Sequence, residues 1–237
     1  MREVLLEVCV DSPEGLAAAV EGGADRIELC AALALGGLTP SAGLIGMAAR
    51  CGVPVVAMIR PRAGDFVWSE AEVGMMEAEI AAMRAAGLTG VVLGASLPDG
   101  RLDVTVLRRL GTAAVGMDLV LHRCIDLTPD MGAALEEAVA LGFHRILTSG
   151  GETTAEAGAQ RIAALVRQAA GRITVMPGSG VNPGNAALLK GLGIGEIHAS
   201  CSAEVPLTGR AVEMGFAPSV WRQTSADRVR ALRAALE

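Results

Sequence analysis

Aromatic side chains are scarce in this chain of 237 residues, since they make up 2% of it and tyrosine is absent. The hydrophobic content is nevertheless 51%, so a large core can form from small and aliphatic side chains. A chain of this length fits one domain of about 200–250 residues or two small ones. No linker or shift in composition indicates a second domain.

The sequence also lacks a long basic run and a long apolar run. The formal net charge is −6, which argues against nucleic acid as a partner. No stretch approaches the roughly 18 consecutive apolar residues of a membrane span. No charged-then-apolar leader precedes the first strand, which is expected near Val4. These absences predict a cytoplasmic protein without a nucleic-acid or membrane partner.

Closely spaced metal-ligand pairs are missing as well. There is no CxxC or CxxxH pair, which argues against a preformed structural zinc site. The cysteines are odd in number and scattered, which is typical of reduced thiols rather than of a disulfide scaffold. They are Cys9, Cys30, Cys51, Cys124 and Cys201.

Apolar strand-like runs and helical patterns alternate along the whole chain. The strands are expected to begin near Val4, Arg26, Pro54, Gly90, Met117, His144, Arg172 and Gly195. Strict alternation predicts a parallel sheet, and eight such units match a closed (β/α)₈ TIM barrel better than an open doubly wound sheet. We therefore predict one domain over residues 1–237, with strand–helix repeats over about 4–200 and a C-terminal loop and helix at 201–237.

Helix starts carry two kinds of signal. A capping side chain precedes a proline at Ser12, Thr128 and Asn182. Capping boxes are expected where Ser69 precedes Glu72 and where Thr153 precedes Glu156. A last helix is expected over residues 226–236, after a long loop that holds the scarce aromatic residues Phe216 and Trp221. Such a loop is typical of a lid or a subunit contact.

Two strands repeat the same mixed pattern, LEVC at residues 6–9 and IELC at residues 27–30. Alternate side chains of a strand share a face, so each Glu lies on the face of the Cys two residues on. The same alternation on the other strands separates an apolar face from a polar one, which must line the barrel. The polar face collects Glu7, Cys9, Glu28, Cys30, Arg60, His122 and His198. In barrels of this kind the chemistry lies at the carboxyl ends of the strands.

Cys9 and Cys30 lie on neighbouring strands, where side chains on one face approach within about 5 Å. Two thiolates, with the thioether of Met58, would suit Cu(I). The alternative is that both cysteines are small buried hydrophobic residues.

Arg60 and Arg62 follow the third strand and offer two guanidinium groups to an anion. Glu7 and Glu28 are expected to orient them, and the alternative is a closed structural ion network. His122 ends the fifth strand as a candidate general acid or base, or as a core histidine. Glu7, Arg60 and His122 are the candidate catalytic residues.

The loop MPGSGVN at residues 176–182 follows the seventh strand and opens a helix. Amides of Gly178, Ser179 and Gly180 ahead of a helix N-terminus predict a phosphate cradle. Tight turns between strands and helices also need glycine, which is the structural alternative.

At these motifs the chain resembles the CutC family, known as copper-homeostasis proteins. The matching segments are LEVCVD at 6–11, GADRIELC at 23–30, GGLTPS at 36–41, MIRPR at 58–62, GDF at 64–66, HR at 122–123, LTSG at 147–150 and the loop at 176–182. The resemblance implies a cytoplasmic (β/α)₈ barrel, often dimeric, that binds copper through Cys9 and Cys30. Ser179, Cys124 with Ile125, and Ala199 depart from the usual pattern.

Two functions are compatible with these residues. The first is a copper-homeostasis protein that binds Cu(I) through Cys9 and Cys30. The second is an enzyme of unassigned reaction on a small anionic or phosphorylated metabolite, anchored by the loop at 176–182. Its working groups would be Glu7, Arg60, Arg62 and His122. The polar upper layer of the barrel favours the second function, and the resemblance favours the first.

Overall fold

The computed structural model describes residues 4–237 and contains a barrel of eight parallel strands that alternate with helices. The strands are β1 (Leu5–Val10), β2 (Arg26–Leu29), β3 (Val55–Met58), β4 (Gly90–Leu93), β5 (Asp118–Leu121), β6 (Arg145–Thr148), β7 (Thr174–Pro177) and β8 (Glu196–Ala199). Each begins within two residues of its predicted start. The predicted (β/α)₈ barrel is confirmed.

The hydrogen-bonded order of the sheet is β7-β6-β5-β4-β3-β2-β1-β8. In the pairing of β1 with β2, Glu7 lies beside Arg26 and Cys9 lies beside Glu28. On the other side of β1, Glu7 lies beside His198 of β8. Strands β7 and β8 are neighbours at the seam, where residues 4–237 form no ladder, so the barrel is nearly closed.

Helices cover the outside of the barrel. They are α1 (Pro13–Glu21), α2 (Ala42–Ala48), α3 (Glu70–Ala85), α4 (Val104–Ala113), α5 (Met131–Ala140), α6 (Ala159–Ala169), α7 (Pro183–Lys190), the short α8 (Arg210–Glu213) and α9 (Ala226–Leu236). Helix α9 packs between α1 and α7 and so completes the ring. None of the helices within residues 4–237 has the length and apolar character to span a membrane.

Three of the predicted helix caps are confirmed. Ser12 accepts a hydrogen bond from the Gly15 amide, and Asn182 caps α7. Ser69 and Glu72 form the expected reciprocal capping box at the start of α3.

Two predicted caps are wrong. Asp130, not Thr128, caps α5, because the Thr128 hydroxyl donates to the Ile125 carbonyl instead. No capping box forms at Thr153, since α6 begins only at Ala159 and the Glu156 carboxylate accepts from Asn185.

The connection between β8 and α9, expected as a loop, is partly regular. It contains an antiparallel hairpin of β9 (Ser202–Pro206) and β10 (Val220–Thr224), with α8 at its tip. Most of its side chains are exposed, and β10 contacts α1.

The predicted separation of strand faces is confirmed. Leu6, Val8 and Val10 belong to the large core between strands and helices. A smaller cluster fills the barrel interior with Cys30, Val56, Met58, Val92, Val120, Leu147 and Met176. Polar interior side chains lie on both sides of this apolar cluster along the barrel axis. Those towards the carboxyl ends of the strands form the candidate site.

Candidate functional site

A chain of alternating charges runs up the barrel interior from the amino ends of the strands. Arg145 contacts Asp118 at 2.9 Å and Glu196 at 2.8 Å. Arg26 also contacts Glu196 and binds Glu7, with 2.5 Å between Nε and Oε2. Alternation of sign lets buried charges neutralise one another, which offsets part of their desolvation cost.

Glu7 connects this series of ion pairs to the mouth of the barrel, the opening at the carboxyl ends of the strands. It is fully buried, and its Oε1 lies 2.8 Å from Nδ1 of His198. Burial alone would raise the pKa of Glu7, but the His198 hydrogen bond and the Arg26 charge lower it to about 2. The expectation that Glu7 orients Arg60 and Arg62 is therefore wrong, because the strand register places Glu7 beside Arg26 and His198.

Cys9, Glu28 and His198 converge above Glu7. One ligand atom from each, with all three side chains buried, lies within 4.8 Å of the other two. His198 Nε2 is 3.7 Å from Glu28 Oε2, and the Cys30 thiol donates to the same oxygen at 3.5 Å. Burial raises the pKa of Glu28. Burial opposes protonation of His198, yet Glu28 and the neighbouring acidic groups raise its pKa well above the ordinary value.

Cys30 lies one interior position above Cys9 rather than level with it, since Cys9 pairs with Glu28 in the ladder. Its side chain is fully buried. Burial, reinforced by the charge of Glu28, raises the pKa of the Cys30 thiol well above its usual value. Among the described residues, the compact group of possible metal ligands contains Cys9 but not Cys30.

Arg60 is held by backbone carbonyls instead of carboxylates. Nη1 donates to Leu35 and Gly37 at 2.9 and 3.1 Å, and Nη2 donates to Gly64 at 3.0 Å. The guanidinium lies 5.0 Å from the centre of the Phe66 ring. Gly37 has a φ of +84°, a left-handed conformation that favours glycine and lets its carbonyl face Arg60.

The His122 ring also contacts Phe66, and the centres of the two rings are 4.5 Å apart. Its Nδ1 accepts a hydrogen bond from the Cys124 amide at 3.1 Å, so the neutral ring carries its proton on Nε2. Burial, with the nearby charge of Arg60, lowers the pKa of His122 to about 3. At neutral pH His122 is therefore an uncharged hydrogen-bond donor.

Arg62 is engaged by its own loop. It contacts Glu72 at 2.6 Å and Asp65 at 3.0 Å, and it donates to the Val67 carbonyl at 2.8 Å. Its guanidinium lies 4.9 Å from the centre of the Trp68 ring. Arg62 thus orders the connection between β3 and α3, and the described lining of the mouth cavity contains Arg60 but not Arg62.

The loop after β7 reaches the same mouth. Ser179 and Gly180 line the cavity, whereas the Gly178 amide donates to Thr148 within the barrel at 3.0 Å. Asn182 uses its side chain to cap α7. Of the three predicted cradle residues, Ser179 and Gly180 therefore face the cavity.

A cavity of about 730 Å³ opens at the carboxyl ends of the strands. Four buried side-chain atoms within residues 4–237 have no hydrogen-bond partner, and three belong to side chains that line this cavity: Glu28 Oε1, Arg60 Nε and His122 Nε2. Native proteins rarely leave such atoms unpaired. The arginines of the described lining are Arg60, Arg123, Arg222 and Arg228, and Glu28 is its one carboxylate.

The sequence places the predicted interior residues in one barrel but does not reveal two features of the site. His198 was expected on the interior face, and its contact with Glu7 was not foreseen. Arg26 shares that face, and the opposite charges of Arg26 and Glu7 on adjacent strands were the signal that could have identified the pair. Arg222 and Arg228 come from the C-terminal segment, where no sequence pattern pointed to the mouth.

The fold and the site together define a class of protein, a (β/α)₈ barrel with a polar cavity at the carboxyl ends of its strands. Comparison with known proteins narrows this class. The sequence model of the CutC family matches residues 4–203, and the chain belongs to this family.

Relatives cover the whole chain. A CutC family protein of Sinorhizobium medicae is 56% identical over 239 residues, which is all of this chain and 98% of the relative. A CutC family protein of Caulobacter vibrioides is 52% identical, over 98% of each chain.

Solved structures agree with the fold. The crystal structure of CutC from Streptococcus agalactiae, a protein named for copper homeostasis, matches with a TM-score of 0.80 and 33% identity. The match covers 83% of this chain and 98% of that one. KGPDC from Streptococcus mutans matches with a TM-score of 0.62 at 12% identity, over 99% and 98% of the two chains, and shows the fold alone.

Proposed function

We propose that the protein is an enzyme that binds a small anionic metabolite in the mouth cavity. The observation that carries this proposal is the set of three buried, unpartnered polar atoms on Glu28, Arg60 and His122. Arg60 Nε and His122 Nε2 are hydrogen-bond donors, and Glu28 Oε1 is an acceptor. A ligand with an acceptor oxygen and a hydroxyl group would satisfy all three atoms at once.

The charge of the lining supports an anionic ligand. Four arginines and one glutamate line the cavity of a protein whose formal net charge is −6. Arg123 is paired with Asp126 and Arg222 with Glu204, so Arg60 and Arg228 contribute most of the positive charge. Such a local excess of positive charge attracts anions into a cleft. A volume of about 730 Å³ suits a ligand of metabolite size.

Each buried polar group of the cavity would have a separate role in binding or proton transfer. Arg60, fixed by three carbonyls, would orient the ligand. His122, with a pKa of about 3, would donate a hydrogen bond without changing its charge. Glu28, whose pKa burial raises, would exchange a proton with the ligand, and Glu7 would act on the site through His198.

Ligand-induced thermal stabilisation tests this proposal with two arginines as a matched pair. Inorganic phosphate, citrate and glycerol 3-phosphate are added at equal ionic strength to wild type, Arg60→Gln and Arg62→Gln. We expect at least one probe to raise the melting temperature of wild type and Arg62→Gln, with the shift reduced in Arg60→Gln. Equal shifts in all three would show general salt effects only and contradict the proposal. Glu28→Gln, which is expected to lose the same shift, serves if Arg60→Gln does not fold.

Binding of Cu(I) through Cys9 and Cys30 is the second candidate function. One observation favours it: a side-chain carbon built at Gly37 would lie 3.1 Å from Cys30 Sγ and 3.5 Å from Met58 Cε. The Cys30 thiol and the methyl end of the Met58 thioether thus lie close to the same glycine, and soft sulfur ligands suit Cu(I). The family name of the relatives points in the same direction.

Competition with a Cu(I) chelator tests the second candidate. The Cys9→Ser, Cys30→Ser double variant should lose one tight site. The Cys51→Ser, Cys124→Ser double variant is the matched control and should keep it. Equal affinity in the two double variants would contradict the assignment.

We also propose a cytoplasmic homodimer. All five cysteines are free, which fits a reducing compartment. The segment around the hairpin exposes Met214, Phe216, Val220 and Trp221, which fits a contact between subunits.

A further inference from the structure

We propose that Cys9, Glu28 and His198 bind one Zn²⁺ ion, with a fourth position that opens into the mouth cavity. This site goes beyond the proposed function, because it requires neither a substrate nor Cu(I). Each of the three side chains is more than nine-tenths buried, and each lines the cavity. Thiolate, carboxylate and imidazole are the ligands that Zn²⁺ takes in proteins.

The spacing of the ligand atoms fits one ion. They lie within 4.8 Å of one another, and tetrahedral zinc separates its ligand atoms by roughly 3.3–3.8 Å. Side-chain rotations that bring them together by about 1 Å would therefore complete the site. Three protein ligands with one open position are typical of catalytic rather than structural zinc.

The groups behind the ligands are already arranged for a metal. Glu7 Oε1 lies 2.8 Å from Nδ1 of His198, which leaves Nε2 directed towards Glu28. Arg26 fixes Glu7 in turn. A carboxylate behind a histidine is the usual support of a zinc ligand, because it sets the tautomer and the ring orientation.

A second, independent observation points to a cation at this place. Glu28 Oε1 is buried without a hydrogen-bond partner within residues 4–237, while Oε2 accepts from the Cys30 thiol. A buried carboxylate oxygen is costly to leave unpaired. In this proposal the metal ion, rather than a hydroxyl group of the anionic ligand, supplies the missing partner of Glu28.

Charge balance selects a divalent ion. Ligation by the Cys9 thiolate, the Glu28 carboxylate and neutral His198 gives two negative charges, which Zn²⁺ neutralises in full. Cu(I) would leave one buried negative charge uncompensated. A bound Zn²⁺ would polarise an oxygen of a ligand in the cavity.

Metal titration of the chelator-treated protein tests the site. Zn²⁺ is titrated against a chromophoric indicator, and Co²⁺ is followed by its absorption spectrum. We expect one equivalent of each ion to bind, with tetrahedral d–d bands and a thiolate-to-cobalt charge-transfer band. Tight cobalt binding without the charge-transfer band would exclude Cys9 as a ligand and overturn the proposal.

Single variants assign the ligands. Cys9→Ser, Glu28→Gln and His198→Gln should each weaken Zn²⁺ binding at least 100-fold, and Cys51→Ser should leave it unchanged. Glu7→Gln, a positioning variant, should weaken binding 10–100-fold while keeping the cobalt spectrum. Loss of binding in Cys30→Ser but not in His198→Gln would replace the site with a dithiolate one. Absence of stoichiometric binding to the wild-type protein, which needs no variant to fold, would overturn the proposal outright.

Discussion

At the scale of single residues, burial decides the chemistry of the mouth more than residue type does. Two interior histidines show this. His122 faces the Arg60 charge and has a pKa of about 3, whereas His198 lies between Glu7 and Glu28 and has a raised pKa. One is therefore a neutral donor and the other a cation at neutral pH.

The low pKa of His122 predicts an acid-sensitive contribution to stability. An unfolded histidine binds a proton near pH 6.5, and folded His122 does so only near pH 3, so protons favour the unfolded state between these values. Between pH 7 and pH 5 the wild type should therefore lose about 2 kcal/mol more stability than His122→Gln. Urea unfolding across this range measures the difference, and parallel curves would contradict the assignment.

Arg26 should be essential to the interior charge chain. Arg26→Met leaves Glu7 and Glu196 without this guanidinium and is expected to cost about 3–5 kcal/mol. In the double variant with Glu7→Gln, the total should be smaller than the sum of the two single effects. Chemical denaturation of wild type, the two single variants and the double variant gives the free energies of this double-mutant cycle. Strict additivity would show that Arg26 and Glu7 are not coupled.

Interior residues were predictable because strand alternation assigns each side chain to a face. Their partners were not, because partners depend on strand register and on the loops. Arg60 illustrates this. Its position above β3 followed from alternation, but its three carbonyl acceptors come from loops whose paths no sequence pattern specified.

At the scale of elements, the backbone at the end of a strand lies so close to neighbouring side chains that only glycine fits there. Gly94 directly follows β4, and its carbonyl accepts from the Trp68 indole at 2.8 Å. A side-chain carbon at Gly94 would lie 2.5 Å from Cys124 Sγ and 2.6 Å from His122 Nδ1. The end of β4 is thus shaped around His122.

Gly94→Ala should therefore destabilise the protein by about 1–3 kcal/mol and displace His122. Gly74→Ala is the matched control, since Gly74 is exposed within α3 and no atom lies within 4 Å of the added carbon. It should stabilise the protein by about 0.5–1 kcal/mol. Thermal unfolding compares the two, and the same sign for both changes would contradict this account.

Strands and most helices were predictable because the spacing of apolar residues along each element indicates which of its faces is buried. The hairpin of β9 and β10 was not, because few of its side chains face the core and no two-residue apolar alternation marks it. The start of α6 was missed for another reason. Glu156 accepts from Asn185 of α7, a long-range contact that overrides the local capping pattern.

At the scale of the whole molecule, the family match ends at residue 203, and the hairpin lies largely beyond it. Phe216 is 84% exposed near the tip. We expect a dimer whose interface includes this segment, so Phe216→Ser should shift the mass towards the monomer. Leu127→Ser, at a site 60% exposed on the barrel, is the control and should leave the mass unchanged. Light scattering after size exclusion measures both, and an unchanged dimer in Phe216→Ser, or a wild-type monomer, would contradict the assignment.

The central claim is that the unpartnered groups of the mouth bind a small anionic ligand. The chain has three histidines, so ¹⁵N-histidine NMR resolves each ring. His122 and His198 line the cavity, whereas His144 precedes β6 and accepts from the Leu119 amide at the opposite end. A pool of inorganic phosphate, citrate and glycerol 3-phosphate should shift the resonances of His122 and His198 and leave those of His144 in place. Equal shifts of all three rings, or no shift of His122 at saturating concentration, would contradict the claim.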